Sequence, residues 1–145
     1  VMTQCAMTYG ETYVMDMTGS DLLNMLEGVA DNLFDPDPYL QSGGDMVRVG
    51  GLDYTIKPNA ELGKRISGAR LDNGHVIEAG ETYKVAGWAS VNRTPEGRLM
   101  WDVVRDYIVA SKGKDNVLRL EKINHPKVVG VKDNPGISDY PGELA

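Results

Sequence analysis

Hydrophobic and polar residues alternate along residues 11–17, the first stretch with a clear pattern. Tyr13, Met15 and Met17 share one side of an extended chain there, and Asp16 lies on the other side. Tyrosine, valine and threonine, which fill much of this run, favour strands because their side chains pack well on a pleated surface. The pattern predicts a β-strand with one half-buried side.

A helix is predicted directly after this strand. Thr18 and Asp21 have the spacing of a capping box, in which each side chain accepts the other residue's backbone N–H. Glu27 and Asp31 are expected on the solvent side of this helix. The Asp-Pro-Asp-Pro sequence at 35–38 ends it, since proline lacks the N–H that a helix needs. Apolar residues recur at helical spacing on the other side: Leu22, Leu23, Leu26, Val29, Ala30 and Leu33.

The rest of the chain alternates between strand patterns and turn signals. Asp72-Asn73-Gly74 has hairpin chemistry, and the helical spacing at 99–110 predicts a second helix. We therefore predict an α+β fold, a mixed β-sheet with two main helices packed on it. A domain at 1–132 would precede a Pro- and Gly-rich tail at 133–145. Strands are expected at 47–56 (with a bulge or bend at Gly50-Gly51), 65–71 and 82–90, and short extended pieces at 117–123 and 127–131.

Composition narrows the possible partners. The chain has 145 residues, 41% of them hydrophobic, and a net charge of −6, which is typical of one globular domain. Residues 1–47 contain eight acidic residues and no lysine or arginine. Nucleic-acid binding needs a basic face, so no nucleic-acid partner is expected. The single cysteine, Cys5, cannot form an internal disulfide, and no signal peptide or membrane span is visible.

The usual catalytic signatures are missing from the sequence. His75 and His125 are the only histidines, and neither has a carboxylate at metal-ligand spacing. The carboxylates at 31–37 do not match a calcium loop. No Gly-x-Ser-x-Gly sequence is present, and Cys5 has no evident base beside it. We expect neither a metal ligand nor a catalytic residue in this chain.

The strongest candidate for a binding site is the sequence QSGGDMVRVGGLDYT at 41–55. Two glycine pairs enclose a short run of strand-forming residues around Arg48, the first cation of the chain. An arginine can bind an oxyanion with two parallel N–H groups, although a surface arginine paired with the acidic first third is an equally ordinary use. Trp88, near a strand end, could line a pocket or belong to the core.

Several segments, in order, resemble the 5′-nucleotidase C-terminal domain family. AMTYGETYVMDMTGSDLLNMLE is similar to its "LPFGNTLV…LTGxxLxxxLE" opening, and GGDMVRVGGLDYTI to its "GxFLQVSGLRYTFD" strand. LGKRISGARLDNGHVIEAGETYKVAGWASV is similar to the "GxRVxxVxxNGxPLxxxxxYxVAxxxFL" section. The resemblance covers residues 6–110. It implies a recognition domain that works beside an N-terminal metallophosphoesterase-like domain, which supplies the metal ions and the activated water.

A narrower resemblance is to the SoxB subfamily, the thiosulfohydrolases of bacterial sulfur oxidation. NLFDPDPYLQSGGDMVRVGGL, YKVAGWASVN, WDVVRDYI and VVGVKDNPGI carry it. The resemblance implies a periplasmic enzyme with two manganese ions in an N-terminal domain outside this sequence. Its substrate would be the cysteine-bound S-thiosulfonate of the carrier protein SoxYZ, from which it releases sulfate. This chain alone would then hold no cofactor and would be inactive.

One departure from the nucleotidase pattern bears on the substrate. Nucleotidases stack the base between two aromatic residues, and here Met46 stands at the first of these positions while the second segment is replaced by GWASVN. We therefore expect a substrate other than a nucleotide. A nucleotidase or UDP-sugar hydrolase domain and a non-enzymatic carrier-docking module remain alternatives. The candidate substrate-binding residues are Gly43, Gly44, Asp45, Met46, Arg48 and Trp88.

Overall fold

The computed structural model describes residues 10–88 and 97–131, and these contain two helices and five strands. The elements are β1 Thr12–Thr18, α1 Gly19–Phe34, β2 Leu52–Ile56, β3 Ile66–Leu71, β4 Thr82–Trp88, α2 Met100–Ser111 and β5 Lys127–Val128. Strands β1 and β4 form one sheet, and the order β3-β2-β5 forms another. The second sheet is mixed, because β2 pairs antiparallel with β3 and parallel with β5. This is the predicted α+β class.

The chain divides into two compact units, and the first contains β1, β4 and α2. It comprises Val1–Met17 and Thr82–Lys122. The predicted alternation of β1 is confirmed: positions 13, 15 and 17 are half-buried, whereas positions 14 and 16 are exposed. Of the predicted strand at 82–90, the last two residues lie outside the described part. The second helix begins one residue later than predicted, at Met100, which is its buried residue.

The second unit comprises Thr18–Glu81 and Ile123–Ala145 and contains α1, β2, β3 and β5. The capping box is present, because the Thr18 hydroxyl accepts the Asp21 N–H at 3.1 Å and the Asp21 carboxylate accepts the Thr18 N–H at 3.2 Å. Helix α1 packs against β3. The buried apolar side chains of this unit are Leu22, Leu26, Ala30, Tyr54, Ile56, Ala69 and Ile77.

The expectation that Glu27 and Asp31 face solvent is wrong. Glu27 is buried, and its two carboxylate oxygens accept the N–H groups of Gly63 at 3.0 Å and Ile66 at 2.7 Å. Asp31 is half-buried and forms an ion pair with the buried guanidinium of Arg65. Burial of these charges is tolerated because each has a hydrogen-bonded partner, which helical periodicity cannot reveal.

The predicted strand at 47–56 begins only at Leu52, so the prediction is wrong for 47–51. These residues are irregular, with bends at Gly50 and Gly51, and Gly51 has a φ of +79° that interrupts extended backbone. The irregular pairing of β2 with β3 lies instead between Asp53 and Thr55, opposite Gly68 with its φ of +63°. No strand forms at 117–123, and the piece predicted at 127–131 is the two-residue β5.

Neither α1 nor α2, the helices of the described ranges, has the length and apolarity that a membrane crossing requires. The tail predicted at 133–145 lies outside the described residues, so the domain boundary at 132 stays a prediction.

Candidate functional site

The glycine-framed segment leaves the end of α1 and reaches β2 without regular secondary structure. The Asn32 carbonyl of α1 accepts the N–H groups of Ser42 at 3.0 Å and Gly43 at 3.1 Å. A Cβ on Gly43 would lie 3.3 Å from the Asn32 Cβ, so the backbone here runs close to the helix. Gly44, in contrast, has open space around the position of a Cβ. Gly43 therefore lets the backbone of the segment approach α1 closely, whereas the surface at Gly44 is not covered by other atoms.

Arg48 lies on the surface of this segment beside Asp45. One guanidinium nitrogen donates to the Asp45 carboxylate at 2.8 Å, and the two side chains are 83% and 69% exposed. Exposed ion pairs of this kind contribute about 0–1 kcal/mol, because water and salt screen them. An anionic ligand could therefore compete with Asp45 for the guanidinium. The geometry brings Asp45 and Arg48 together, and it keeps Arg48 accessible.

The two remaining candidates, Met46 and Trp88, offer contact surface but little polar chemistry. Met46 is half-buried in the second unit, where its flexible thioether can fill space but cannot stack like an aromatic ring. Trp88 ends β4 in the first unit and is 47% exposed. The structure describes each in its own unit, and their roles as binding residues remain proposals.

A buried ionic cluster holds the end of α1, ahead of the segment, and the sequence pattern did not reveal it. The Arg65 guanidinium binds Asp31 and donates to the carbonyl of Phe34 at 3.4 Å and of Pro58 at 3.2 Å. Phe34 is the last residue of α1, so Arg65 ties the helix end to the β2–β3 connection. A cation at position 65, the first residue of a predicted strand, was the available signal, but its partner lies 34 positions away.

The other end of the segment is held by Asn124. Its side-chain oxygen accepts the Gly51 N–H at 2.8 Å, and its amide nitrogen donates to Asp53 at 2.9 Å and Asp72 at 2.7 Å. Sequence reasoning missed this residue, because it lies in a weakly patterned region more than 50 positions from each partner. The Gly51 end of the candidate site is therefore held by a side chain remote in sequence, whereas its start is held by the Asn32 carbonyl of the preceding helix.

The surroundings of Asp21 and Tyr54 in this unit shift their pKa values in opposite directions. The pKa of Asp21 is lowered by the hydrogen bond from the Thr18 side chain and then by that from the Thr18 backbone. Burial raises the pKa of Tyr54. Within 10–88 and 97–131, no three His, Cys, Asp or Glu side chains are grouped so that they could hold a metal ion. These residues do not fit a metal centre, and we assign no metal-dependent step to them.

Comparison with known proteins places the chain in a family. The model of the 5′-nucleotidase C-terminal domain matches residues 3–94. Among solved structures, the sulfate thiohydrolase SoxB of Thermus thermophilus, in complex with glycerol, superposes with a TM-score of 0.68 at 27% identity over 88% of this chain. A Staphylococcus aureus protein assigned as a 5′-nucleotidase, bound to α-ketoglutarate, gives 0.58 at 16% identity over 83% of this chain.

The chain spans only about a quarter of these solved structures, 23% of the first and 27% of the second. The second likeness, at low identity, shows the fold alone. No curated protein matched the sequence. Because the family model accounts for more than half of its 145 residues, the chain belongs to the 5′-nucleotidase C-terminal domain family.

Proposed function

We propose that this chain is the substrate-recognition domain of a SoxB-like thiosulfohydrolase. The complete enzyme would lie in the periplasm and hold two manganese ions in an N-terminal metallophosphoesterase-like domain. It would release sulfate from the cysteine-bound S-thiosulfonate of the SoxYZ carrier. The observation that carries the proposal is the likeness to SoxB, which extends over most of the chain and exceeds the likeness to the nucleotidase in both identity and superposition.

The reaction is a hydrolysis at sulfur. A water oxygen bonds to the sulfonate sulfur, the bond between that sulfur and the adjoining sulfane sulfur breaks, and sulfate leaves. The sulfane sulfur stays on the carrier's cysteine as a persulfide, which takes one proton of the water, and the other proton passes to solvent. Charge accumulates on the sulfonate oxygens in the transition state, where a positioned cation stabilises it.

Arg48 is the residue of this chain that we assign to the sulfonate. Its planar guanidinium has five N–H donors and matches two oxygens of a tetrahedral oxyanion, and its present partner Asp45 is exposed and exchangeable. Met46 is consistent with a substrate other than a nucleotide, because its thioether has no aromatic ring on which a base could stack. Gly43, Gly44 and Trp88 are proposed to shape the surface around the sulfonate.

The test uses the full-length protein that contains this chain. We expect manganese-dependent sulfate release from thiosulfonate-loaded SoxYZ, with kcat/KM reduced at least about tenfold by Arg48→Ala. Lys64→Ala is the matched control, because Lys64 is also an exposed cation paired three residues away, with Glu61. The 145-residue chain alone, with added Mn²⁺, should show no turnover. If the full-length protein releases no sulfate, the proposed function is wrong. If it releases sulfate and Arg48→Ala has no effect, the role of Arg48 is wrong.

A nucleotidase function is the second candidate, because the family model itself is that of the 5′-nucleotidase C-terminal domain. Titration with AMP and with adenosine separates the two functions. Saturable binding at micromolar concentration that depends on the base favours a nucleotidase. Hydrolysis of AMP by the full-length protein, without sulfate release, would replace the first proposal by the second.

A further inference from the structure

The turn that follows α1 presents two large apolar side chains to solvent. Tyr39 is 96% exposed and its neighbour Leu40 is 61% exposed. Single exposed apolar residues are common on protein surfaces. A tyrosine ring that is almost fully exposed beside an exposed leucine is less common. Tyrosine is one of the residue types that contribute most to protein–protein binding, and the leucine adds an adjoining apolar surface.

The backbone beneath these side chains is held by a dense set of hydrogen bonds. The Asp35 carboxylate accepts the Asp37 N–H at 2.8 Å, and the Asp37 carboxylate accepts the Tyr39 N–H at 2.9 Å. The Asp37 carbonyl accepts the Leu40 N–H at 3.0 Å, and the Gln41 side chain donates to the Asp35 carbonyl at 2.7 Å. The turn therefore holds the backbone of Tyr39 in place before any partner arrives, which lowers the backbone entropy lost on binding.

The turn is also fixed to the helix that precedes it. The Asp35 N–H donates to the Asp31 carbonyl at 3.0 Å, and the Asn32 carbonyl accepts the N–H groups of Ser42 and Gly43. Pro36 and Pro38 restrict the backbone further, because each ring fixes its φ. We call residues 35–43 the α1 turn. These hydrogen bonds and the two prolines fix the backbone of the α1 turn relative to the end of α1.

The charged side chains within the α1 turn itself have one sign. Asp35 and Asp37 are the ionisable side chains of the α1 turn apart from the tyrosine itself, and no lysine or arginine occurs before Arg48 in the sequence. Arg48 itself is paired with Asp45. The carboxylate oxygens of Asp35 and Asp37 accept backbone N–H groups, but their negative charge is retained. A complementary surface would carry cations around an apolar pocket.

From this geometry we propose that the α1 turn is a docking element for a protein partner whose surface has an apolar pocket rimmed by lysine or arginine. Tyr39 and Leu40 would enter the pocket, and the carboxylates of Asp35 and Asp37 would face the rim. The inference rests on the proposed function in one respect: the SoxYZ carrier is the partner with which we test it. Docking through Tyr39 and Leu40 would let the enzyme select the carrier as well as its sulfonate.

The first experiment measures binding of purified SoxYZ to the 145-residue chain by surface plasmon resonance. Tyr39→Ala and Leu40→Ala should each weaken the affinity at least about tenfold, mainly through faster dissociation, while Tyr39→Phe should stay close to the wild type. Leu62→Ala is the matched control, because Leu62 is 59% exposed in the same unit but lies on the β2–β3 connection. Circular dichroism confirms that each variant is folded.

The second experiment removes charge without removing the turn's hydrogen bonds. Asp35→Asn and Asp37→Asn keep a side-chain oxygen at each acceptor position, so the backbone should hold its shape. The double variant should associate more slowly and lose much of the salt dependence of the association rate. An association rate and salt dependence equal to those of the wild type would overturn the charged part of the proposal.

Failure of this inference is distinguishable from failure of the proposed function. Suppose that the full-length protein releases sulfate from thiosulfonate-loaded SoxYZ, but Tyr39→Ala and Leu40→Ala match the wild type in binding and in KM. Docking at the α1 turn is then wrong, and the proposed function stands. The same conclusion follows if SoxYZ does not bind the chain but sulfate is still released from it. If SoxYZ binds through Tyr39 but no sulfate is released, the docking inference stands and the enzymatic proposal fails.

Discussion

Arg48 donates a hydrogen bond to the carboxylate of Asp45, three residues earlier, at 2.8 Å on an open surface. The pair turns the most prominent cation of the candidate site into a locally neutral group. Any oxyanion that binds there competes with a carboxylate already in place. Because both side chains are more than two-thirds exposed, this competition involves a weak interaction.

We predict that Asp45→Asn tightens binding of sulfate to the chain. The substitution keeps a side-chain oxygen near Arg48 but removes the competing negative charge, and an exposed pair worth up to about 1 kcal/mol corresponds to a gain of up to about fivefold in affinity. Isothermal titration calorimetry with sodium sulfate measures it. Arg48→Ala should abolish the gain in the double variant. Asp37→Asn is the control, because the Asp37 carboxylate accepts the Tyr39 N–H and is not the partner of Arg48. A gain that survives Arg48→Ala would disconnect sulfate from Arg48.

The sequence correctly predicted the structural features that depend on residues close together in the chain. The capping box of Thr18 and Asp21, the alternation of β1 and the turn at Asp72-Asn73-Gly74 are all found, because each depends on residues within a few positions of one another. The Gly74 N–H, for example, donates to the Leu71 carbonyl at 2.8 Å, as a tight turn requires.

Features that depend on distant partners were not predicted. Glu27 and Asp31 have the spacing of a solvent side, and only Arg65 and the Gly63 and Ile66 N–H groups make their burial possible. Within the described residues, no strand pairs with the run expected around Arg48, since the pairing of β2 with β3 begins only at Leu52. The run is irregular, so the candidate site is a loop, and Asn124, which holds its Gly51 end, is a residue that no local pattern identifies.

We predict that Arg65→Ala lowers the free energy of unfolding by about 3 kcal/mol or more, because it leaves the Asp31 carboxylate without its buried partner. Arg65→Lys should restore only part of this loss, since one ammonium group cannot replace a fork that reaches Asp31, Phe34 and Pro58. Urea denaturation measures both variants. Lys64→Ala, at the exposed neighbouring position, should change stability by less than about 1 kcal/mol. A small effect of Arg65→Ala would show that the cluster does not hold the end of α1.

We predict that the stabilising contribution of Asp21 disappears in acid. Its pKa is lowered below the ordinary value of 3.8 in the folded chain by the hydrogen bonds from the Thr18 side chain and backbone. The contribution is therefore fully present above that value and is lost as the pH falls through the lowered pKa. The stability difference between the wild type and Asp21→Asn should stay constant above about pH 5 and shrink as the pH falls below about pH 4. In a Thr18→Ala background the difference should lose most of this pH dependence, and its persistence there would assign the pKa shift to another cause.

We predict that Tyr54→Phe stabilises the chain by about 1 kcal/mol, because it removes a polar group that gains nothing from burial. The Tyr54 hydroxyl is buried, and within the described residues it has no hydrogen-bond partner. Thermal and urea unfolding measure the change. Tyr107→Phe, at a tyrosine that is 53% exposed, should have no measurable effect. Destabilisation by Tyr54→Phe would indicate that the hydroxyl has a partner in the folded chain.

We predict opposite effects of alanine at two glycines of the same helix. A Cβ on Gly19, the first residue of α1, would lie 2.1 Å from the carbonyl oxygen of Glu78, whereas a Cβ on Gly28 would meet no atom within 4 Å. Gly19→Ala must therefore displace backbone and should lower the free energy of unfolding by about 2 kcal/mol or more.

Gly28→Ala should raise it by about 0.5–1 kcal/mol, because alanine loses less backbone freedom in a helix. Urea denaturation of both variants at one pH measures the pair. Equal effects would mean that the approach of Glu78 to the start of α1 is not a property of the folded protein. An opposite sign at the two positions, in contrast, would confirm that a close backbone contact fixes the helix that carries the α1 turn.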